Sequence, residues 1–223
     1  MNTYTFLTEL ALFGYGLLGT FKISIVTLVA TTLISVIFGS LSTVDLPWLR
    51  FIIRGYVECF RSIPLVVIVF FIYFTLPLLG LTLPPFLSVS VGLTFWASAN
   101  GIEIVRGGIA SVSKGQRESA ASLGLSAWKI YLLIIWPQAL RAIIPAYLGQ
   151  ITLLIQASSL GALVGVDELF LNGKNYIEQT TLMSGNNPSF FVYAGILATY
   201  FVICSLFTQA GRLYEKRVGK KYQ

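Results

Sequence analysis

Histidine is absent from this 223-residue chain, which removes the commonest general base and the commonest imidazole metal ligand. Charge is scarce as well: 11% of the residues are Asp, Glu, Lys or Arg against 56% hydrophobic, and the mean hydropathy is +0.80, the balance of an integral membrane protein. The two cysteines, Cys59 and Cys204, lie in or beside apolar runs without metal-ligand spacing; small buried side chains are the expected reading, and they say little of redox compartment. No nucleophile elbow, Walker A loop or zinc motif occurs. The start, MNTYTFLTEL, lacks a basic leader and a cleavage site, so the first apolar run is expected to stay as an uncleaved span. No internal repeat or low-complexity tract is visible. The length suits one bundle of a few spans and leaves no room for a sizeable soluble domain, so any large soluble activity must come from another chain.

What is present is a series of long uncharged runs. The stretch between Lys22 and Asp45 has the length a helix needs to cross roughly 30 Å of hydrocarbon. From Ser62 to Ile102 the run is too long for one helix and is interrupted by PLLGLTLPP, Pro77 to Pro85, which predicts two spans joined by a proline turn. Two further runs, Ala142–Val166 and Gln179–Gly211, bring the count to five, the last with a loop-like TTLMSGNNPS ahead of a helix starting near Phe190. The expected spans are 17–40, 62–79, 86–107, 140–164 and 190–211. Cations collect on alternate connections: Arg50, Arg54 and Arg61; then Arg106, Lys114, Arg117 and Lys129; then the tail with Arg212, Lys216, Arg217, Lys220 and Lys221. These connections are therefore expected to be cytoplasmic and the N-terminus outside. The net charge of +6 is accounted for by this topology and requires no nucleic-acid partner.

One polar segment interrupts the pattern: GQRESAASLGLSAWKIYLLIIWPQA, Gly115 to Ala139. Glu118–Leu123 and Trp128–Ile135 are good helix formers separated by Gly124 and Ser126, which predicts two short helices with a turn at Gly124. Ala and Ser at nearly every place of the first helix would let its backbone approach another protein closely. The alternative is a helix lying on the membrane, for which it lacks large apolar side chains.

This segment resembles the cytoplasmic signature loop of the membrane subunits of bacterial ABC importers, E-A-A, three residues, G, nine residues, I-x-L-P. Glu118, Ser119 and Ala120 take the first places, Gly124 the glycine, and Ile134 and Pro137 the end, with Trp136 where leucine is usual. FRSIPLV (Phe60–Val66), EIVRGGI (Glu103–Ile109) and the five-span count resemble the polar amino-acid permease branch. The resemblance runs from about Gly16 to the basic tail. It implies a coupling helix within 113–137 that sits in a cleft of an ATP-hydrolysing subunit, with Gly115, Gln116, Arg117, Glu118, Ser119, Ala120 and Gly124 as the coupling residues. Two such ATPase subunits closing over ATP would draw the loops together and rock the spans between inward- and outward-facing states.

The remaining candidates line a possible translocation path. Glu103 and Arg106, three apart, either pair at a helix end or leave Glu103 to meet a substrate ammonium, with Asn100 one turn away. Gln156, Ala157, Ser158, Ser159 and Leu160 stand where many relatives read Lys-Asp-Thr-Ser-Leu, so the carboxylate is missing. Ser158 and Ser159 either hydrogen-bond across packed helices or face the path. In FRSIPLV, Pro64 kinks the second span or occupies its first turn.

The chain thus reads as an all-α integral membrane protein of one domain, 1–223, with five transmembrane helices, N-terminus outside and C-terminus cytoplasmic, and a coupling helix between spans three and four. The resemblance implies a non-enzymatic permease subunit in a bacterial inner membrane. Its partners would be two ATP-binding cassette subunits, a second identical or homologous permease chain and an extracytoplasmic binding protein. ATP and Mg would be held in the partner subunit and no cofactor or metal here. Glutamate or aspartate is the expected substrate, with glutamine or another polar amino acid as the alternative. A secondary transporter would need more coupling carboxylates in the bilayer than Glu103, and a scaffold subunit would leave the signature spacing unexplained.

Overall fold

The computed structural model describes residues 3–220. Lys221 of the basic tail and the terminal Met1 and Asn2 lie outside the described residues. The structure is helical throughout: α1 (Thr3–Leu41), α2 (Pro47–Ser62), α3 (Leu65–Phe70), α4 (Pro85–Ala110), α5 (Lys114–Ser122), α6 (Ala127–Ile130), α7 (Trp136–Ala157), α8 (Leu169–Ser184) and α9 (Ser189–Lys220). Among the described residues three segments are long and apolar enough to cross a membrane, Leu10–Leu41, Ala127–Val164 and Ser189–Arg217, and a fourth arises if the bent pair Pro47–Ser62 and Leu65–Leu79 is taken as one.

Helix α1 is patterned inside-out relative to a helix of a soluble protein. On α1, Thr20, Ser24, Thr27, Thr31 and Ser35 are buried, whereas Leu18, Ile25, Val29, Leu33 and Ile37 are exposed. In hydrocarbon an apolar side chain gains nothing by burial, so small residues that permit close packing take the inner face. Some of the buried hydroxyls are closed locally, Ser24 donating to the Thr20 carbonyl (2.7 Å) and Thr94 to the Ser90 carbonyl (2.7 Å), whereas the Thr27 and Thr31 hydroxyls have no partner among the described residues.

Among the described residues Pro145 lies within regular α-helix of α7, and two further prolines, Pro77 and Pro137, enter helical stretches just after a widened turn. A π-helical turn at Phe71–Thr75 precedes Pro77, and another at Tyr131–Ile135 precedes Pro137. A proline ring clashes with the carbonyl four residues back, here Tyr73 and Leu133, and lacks the N–H that carbonyl would bind. Widening that turn accommodates the ring.

Several boundaries differ from the sequence expectation. The connection holding Arg50, Arg54 and Arg61 is largely helix α2, opened by Pro47 at its first turn, where the missing N–H has no partner to lose. The helix breaks at Ile63–Pro64, both in extended backbone, so Pro64 caps α3 instead of kinking a continuous span. Residues 180–184 are helical and belong to α8; the loop ahead of α9 is only 185–188. Cys59 is exposed on α2, contrary to expectation, and Cys204 is buried.

The described chain divides into two compact units: one comprises the chain up to Val29, Pro64–Thr94 and Ile151–Leu206, the other Ala30–Ile63, Phe95–Gln150 and the chain from Phe207 on. Helices α1, α4, α7 and α9 contribute a segment to each.

In the first unit the centre is Glu168, fully buried at the N-terminus of α8. Its carboxylate accepts the Phe170 and Leu171 amides (2.9 and 2.7 Å), the Tyr200 hydroxyl (3.1 Å) and, at 3.4 Å, the Thr20 hydroxyl. Thr20 in turn accepts the Leu169 amide at 3.2 Å. Burial pushes the Glu168 carboxyl up, against the pull of those donors. Gly19 lets α1 approach this turn, for a Cβ there would collide with the Asp167 carbonyl.

In the second unit α2 packs on α4. Ile53 and Val57 meet Ile102, Phe60 stacks on Phe95 (centroids 4.9 Å apart), and the Tyr56 hydroxyl lies 2.6 Å from Ser98 Oγ. From α7, the buried Gln150 donates to the Ala97 carbonyl (3.0 Å) and Tyr147 to Thr32 (3.1 Å).

Replacing Glu168 by Ala strips an N-cap and leaves buried donors without an acceptor, a loss of about 2 kcal/mol. In thermal unfolding of the detergent-purified complex this is expected as a Tm drop of about 4–8 °C, with a smaller drop for Glu168→Gln, which keeps an acceptor. Equal stability of Glu168→Ala and the parent would show that the carboxylate does not hold α8.

Candidate functional site

The signature segment folds as two short helices on a defined turn. Ser113, in extended backbone, precedes α5. The helix ends when Gly124 adopts φ +76°, a left-handed conformation that side chains disfavour. There the Gly124 amide bonds the Ala121 carbonyl (2.9 Å) and the Leu125 amide the Ala120 carbonyl (3.3 Å), the paired bonds of a Schellman cap. Ser126 then starts α6, which continues through the π turn into α7.

This pair of helices is pinned to the second unit by apolar contacts. Ala120, Ile130 and Ile135 are buried in one cluster with Val105, Ile109 and Ile143 from α4 and α7. Gln138 of α7 donates to the Gln116 side chain at 3.3 Å. Ala120, expected on the docking face, is only 5% exposed and anchors the helix to its own chain. Gly115, Gln116, Arg117, Glu118, Ser119 and Gly124 are exposed, as are Ala121 and Ser122. So are two large apolar side chains, Leu123 (82%) and Trp128 (70%), of which the sequence pointed to Trp128 only as a membrane-belt or packing residue.

Beside α5 the second unit holds a cavity of about 380 Å³ whose lining includes Arg50, Arg54, Glu103, Arg106, Lys114 and Arg117. Glu103 accepts both Nε and Nη2 of Arg106, at 3.0 and 2.6 Å, so the helix-end pairing expected from the three-residue spacing is present. Asn100 is half-buried and donates to the Trp96 carbonyl of its own helix (3.0 Å). Gln156, Ser158 and Ser159 belong to the first unit, Glu103 and Asn100 to the second. Ser158 is fully buried, donates to the Ile155 carbonyl (2.7 Å) and also meets the Tyr200 hydroxyl, a contact between helices. Ser159 donates to the Gln156 carbonyl (2.7 Å), and Gln156 itself is exposed.

The family described as binding-protein-dependent transport system inner membrane component matches residues 32–220. The chain belongs to that family. A relative from Bacillus subtilis (strain 168), named probable glutamine ABC transporter permease protein GlnP, is 32% identical over 209 residues, covering 94% of each chain. Another from the same organism, named probable amino-acid ABC transporter permease protein YckA, is 33% identical over 220 residues, covering 96% of this chain and 94% of the relative. Among solved structures, one described as an amino acid ABC transporter with histidines superposes with a TM-score of 0.84 at 25% identity, covering 97% of this chain and 99% of that one.

This binding-protein-dependent permease is accordingly a multi-pass inner-membrane subunit of an ABC transporter, of a family without ATPase activity of its own. An ATP-hydrolysing subunit and a substrate-binding protein are the general partners of such a permease. The matched region contains the whole loop from Ser113 to Pro137, the Glu103–Arg106 pair and the basic cavity. The sequence reading used Arg50, Arg54 and Lys114 only as topology charges; the signal for their convergence was the i, i+4 placement of Arg50 and Arg54 on what is now helix α2.

The ion pair is partly exposed, with side-chain exposures of 30% for Glu103 and 47% for Arg106, so its contribution to stability is about 1 kcal/mol or less. Glu103→Gln and Arg106→Gln are each expected to lower Tm by about 4 °C or less, with the double substitution no worse than either single one. Additive losses in the cycle would mean that the two side chains act independently.

Proposed function

We propose that this chain is one of two permease halves of an ATP-driven importer of a polar amino acid, glutamine being the favoured substrate and glutamate or aspartate the second choice. The chain crosses the membrane five times, with α4 among the spans, the N-terminus outside and the C-terminus in the cytoplasm. An extracytoplasmic binding protein delivers the substrate, and two ATP-binding cassette subunits, which hold ATP and Mg, drive the cycle.

The observation that carries this reading is the division of labour on α5. Ala120 fixes the helix to α4 and α7, while Ser119, Ala121, Ser122 and Leu123 stay uncovered. A helix pinned on one face and bare on the other can transmit a push from a partner's cleft without bending. Gly115, Gln116, Arg117 and Glu118 supply the polar part of that surface, and Gly124 sets the angle at which it leaves.

Two considerations favour an uncharged side chain on the substrate. The relatives at about one-third identity carry glutamine or simply amino acid in their names. Arg106, a cation available to an acidic side chain, is engaged at two of its three guanidinium nitrogens by Glu103. The motif FRSIPLV, which resembles acidic amino-acid permeases, is accounted for in part by packing, since Phe60 stacks on Phe95. Glu103, Asn100, Gln156, Ser158 and Ser159 remain the candidates for the translocation path.

The test is ATP hydrolysis by the complete transporter in proteoliposomes with its binding protein and single amino acids. Glutamine is expected to stimulate hydrolysis most; stimulation by glutamate or aspartate alone would correct the substrate, and the absence of any co-purifying ATPase would sink the proposal. Ala121→Arg, on the bare face, is expected to cut transport about tenfold or more with little change in Tm, as for loss of an interface contact. Ala120→Arg buries an unpaired charge and is expected to lower Tm as well. If Ala121→Arg transports normally, the docking face lies elsewhere.

A further inference from the structure

The basic cavity beside α5 shares Arg117 with the proposed docking surface and Glu103 with the candidate path, and neither role accounts for its other cations. It brings five cations, Arg50, Arg54, Arg106, Lys114 and Arg117, around a single carboxylate, Glu103. Arg106 pairs with Glu103 and Arg50 with Asp45 outside the cavity. Arg54, Lys114 and Arg117 have no carboxylate within ion-pair reach among the described residues. Like charges gathered at the edge of a low-dielectric bundle repel one another unless an anion sits among them.

Two further features say which anion. The buried Ile53, Val57, Ile109 and Val112 give the cavity an apolar floor, and Ser42 and Thr43 add hydroxyls to its lining. Helix α2, which supplies Arg50 and Arg54, turns its opposite face outward with Trp48 (63% exposed), Phe51 (79%) and Ile52 (59%). A helix with bulky apolar side chains on one face and arginines on the other lies in the headgroup layer of a bilayer. Basic pockets beside such helices on the cytoplasmic side suit lipid phosphates.

We propose that this cavity holds the phosphate of an anionic phospholipid of the cytoplasmic leaflet, with Arg54, Lys114 and Arg117 as its main partners and the lipid's glycerol end over the apolar floor. The bound headgroup then joins α2 and α4 to the first turn of α5, so that lipid charge sets how firmly the coupling pair is held. The inference rests on the orientation proposed above, which puts α2 and α5 on the cytoplasmic side.

The complete transporter, purified in mild detergent, is titrated with phosphatidylglycerol and with phosphatidylcholine, and retained lipid is read by native mass spectrometry. Phosphatidylglycerol is expected to be retained selectively. The double variant Arg54→Gln, Lys114→Gln is expected to weaken retention about thirtyfold, against less than about twofold for Arg212→Gln, Lys216→Gln in the tail, and Arg54→Lys is expected to keep it. Co-purification of the ATPase subunit shows that each variant is folded. Equal loss in the tail variant, or none in the cavity variant, overturns the proposal. Inorganic phosphate or glycerol phosphate binding as tightly as the lipid would make the ligand a free anion. A photo-crosslinker in place of Arg54 that captures the ATPase subunit instead of lipid would make the occupant a protein carboxylate. Orientation is read separately: exposed Cys59 on α2 should react with an impermeant thiol reagent from the cytoplasmic side, and reaction only from outside would overturn the topology and not the charge cluster.

Discussion

Water is missing where most of this chain resides, and from that constraint the rest follows. A backbone that cannot turn to solvent must close its hydrogen bonds within its own segment, which makes helices the available spanning form here. The same scarcity governs side chains. Buried hydroxyls such as Ser24, Thr94 and Ser158 bond to carbonyls of their own helices, and the buried acid Glu168 stands where two free helix-start amides and two hydroxyls converge on it. Small residues take many of the contacts, on α1 above all, beside buried apolar side chains such as Ile23, Leu93 and Ile102, so packing depends on closeness of approach as well as on apolar contact.

The signature loop departs from this regime because it is read as leaving the hydrocarbon. Its order comes from a conventional apolar cluster around Ala120, Ile109 and Ile143 and from a Schellman cap at Gly124. Both are rigid devices. The cap fixes the exit direction of α5, and the cluster joins α5 to α4 and α7, the helices that carry Glu103, Arg106, Asn100 and Gln150. A displacement of the loop is therefore shared with the helices bearing the polar side chains of the second unit.

Local rules made much of this visible beforehand. The turn at Gly124, the helix pair around it, the start of α4 at the Pro84–Pro85 boundary and of α9 near Phe190, and the Glu103–Arg106 pairing all depend on residues within a few positions of one another. What was not visible depends on distant residues. Helix α2 read as a basic connection because its arginines outweigh its apolar period, which becomes meaningful only against Phe95 and Ile102 of α4. Glu168 looked like one acid of an external loop, and its partners Thr20 and Tyr200 lie far away in sequence. The inward aim of Ala120 could not be inferred from a helix with small residues on every side. The family resemblance located the loop but not the face of it that is bare.

The widened turn at Tyr131–Ile135 has a consequence for how the loop can vary in length. A π turn amounts to one surplus residue in an α-helix, and each residue of α-helix advances the phase by about 100°. The widened turn spreads that surplus residue over about the same rotation, so deleting one residue between Tyr131 and Ile135 would let the turn tighten to α while leaving the preceding helix at nearly the same angle to α7. A one-residue deletion in the regular helix of α7 would instead rotate everything before it by about 100°, and the bare face of α5 with it. The chain thus holds at Tyr131–Ile135 a reserve of one residue that can be lost without re-aiming α5.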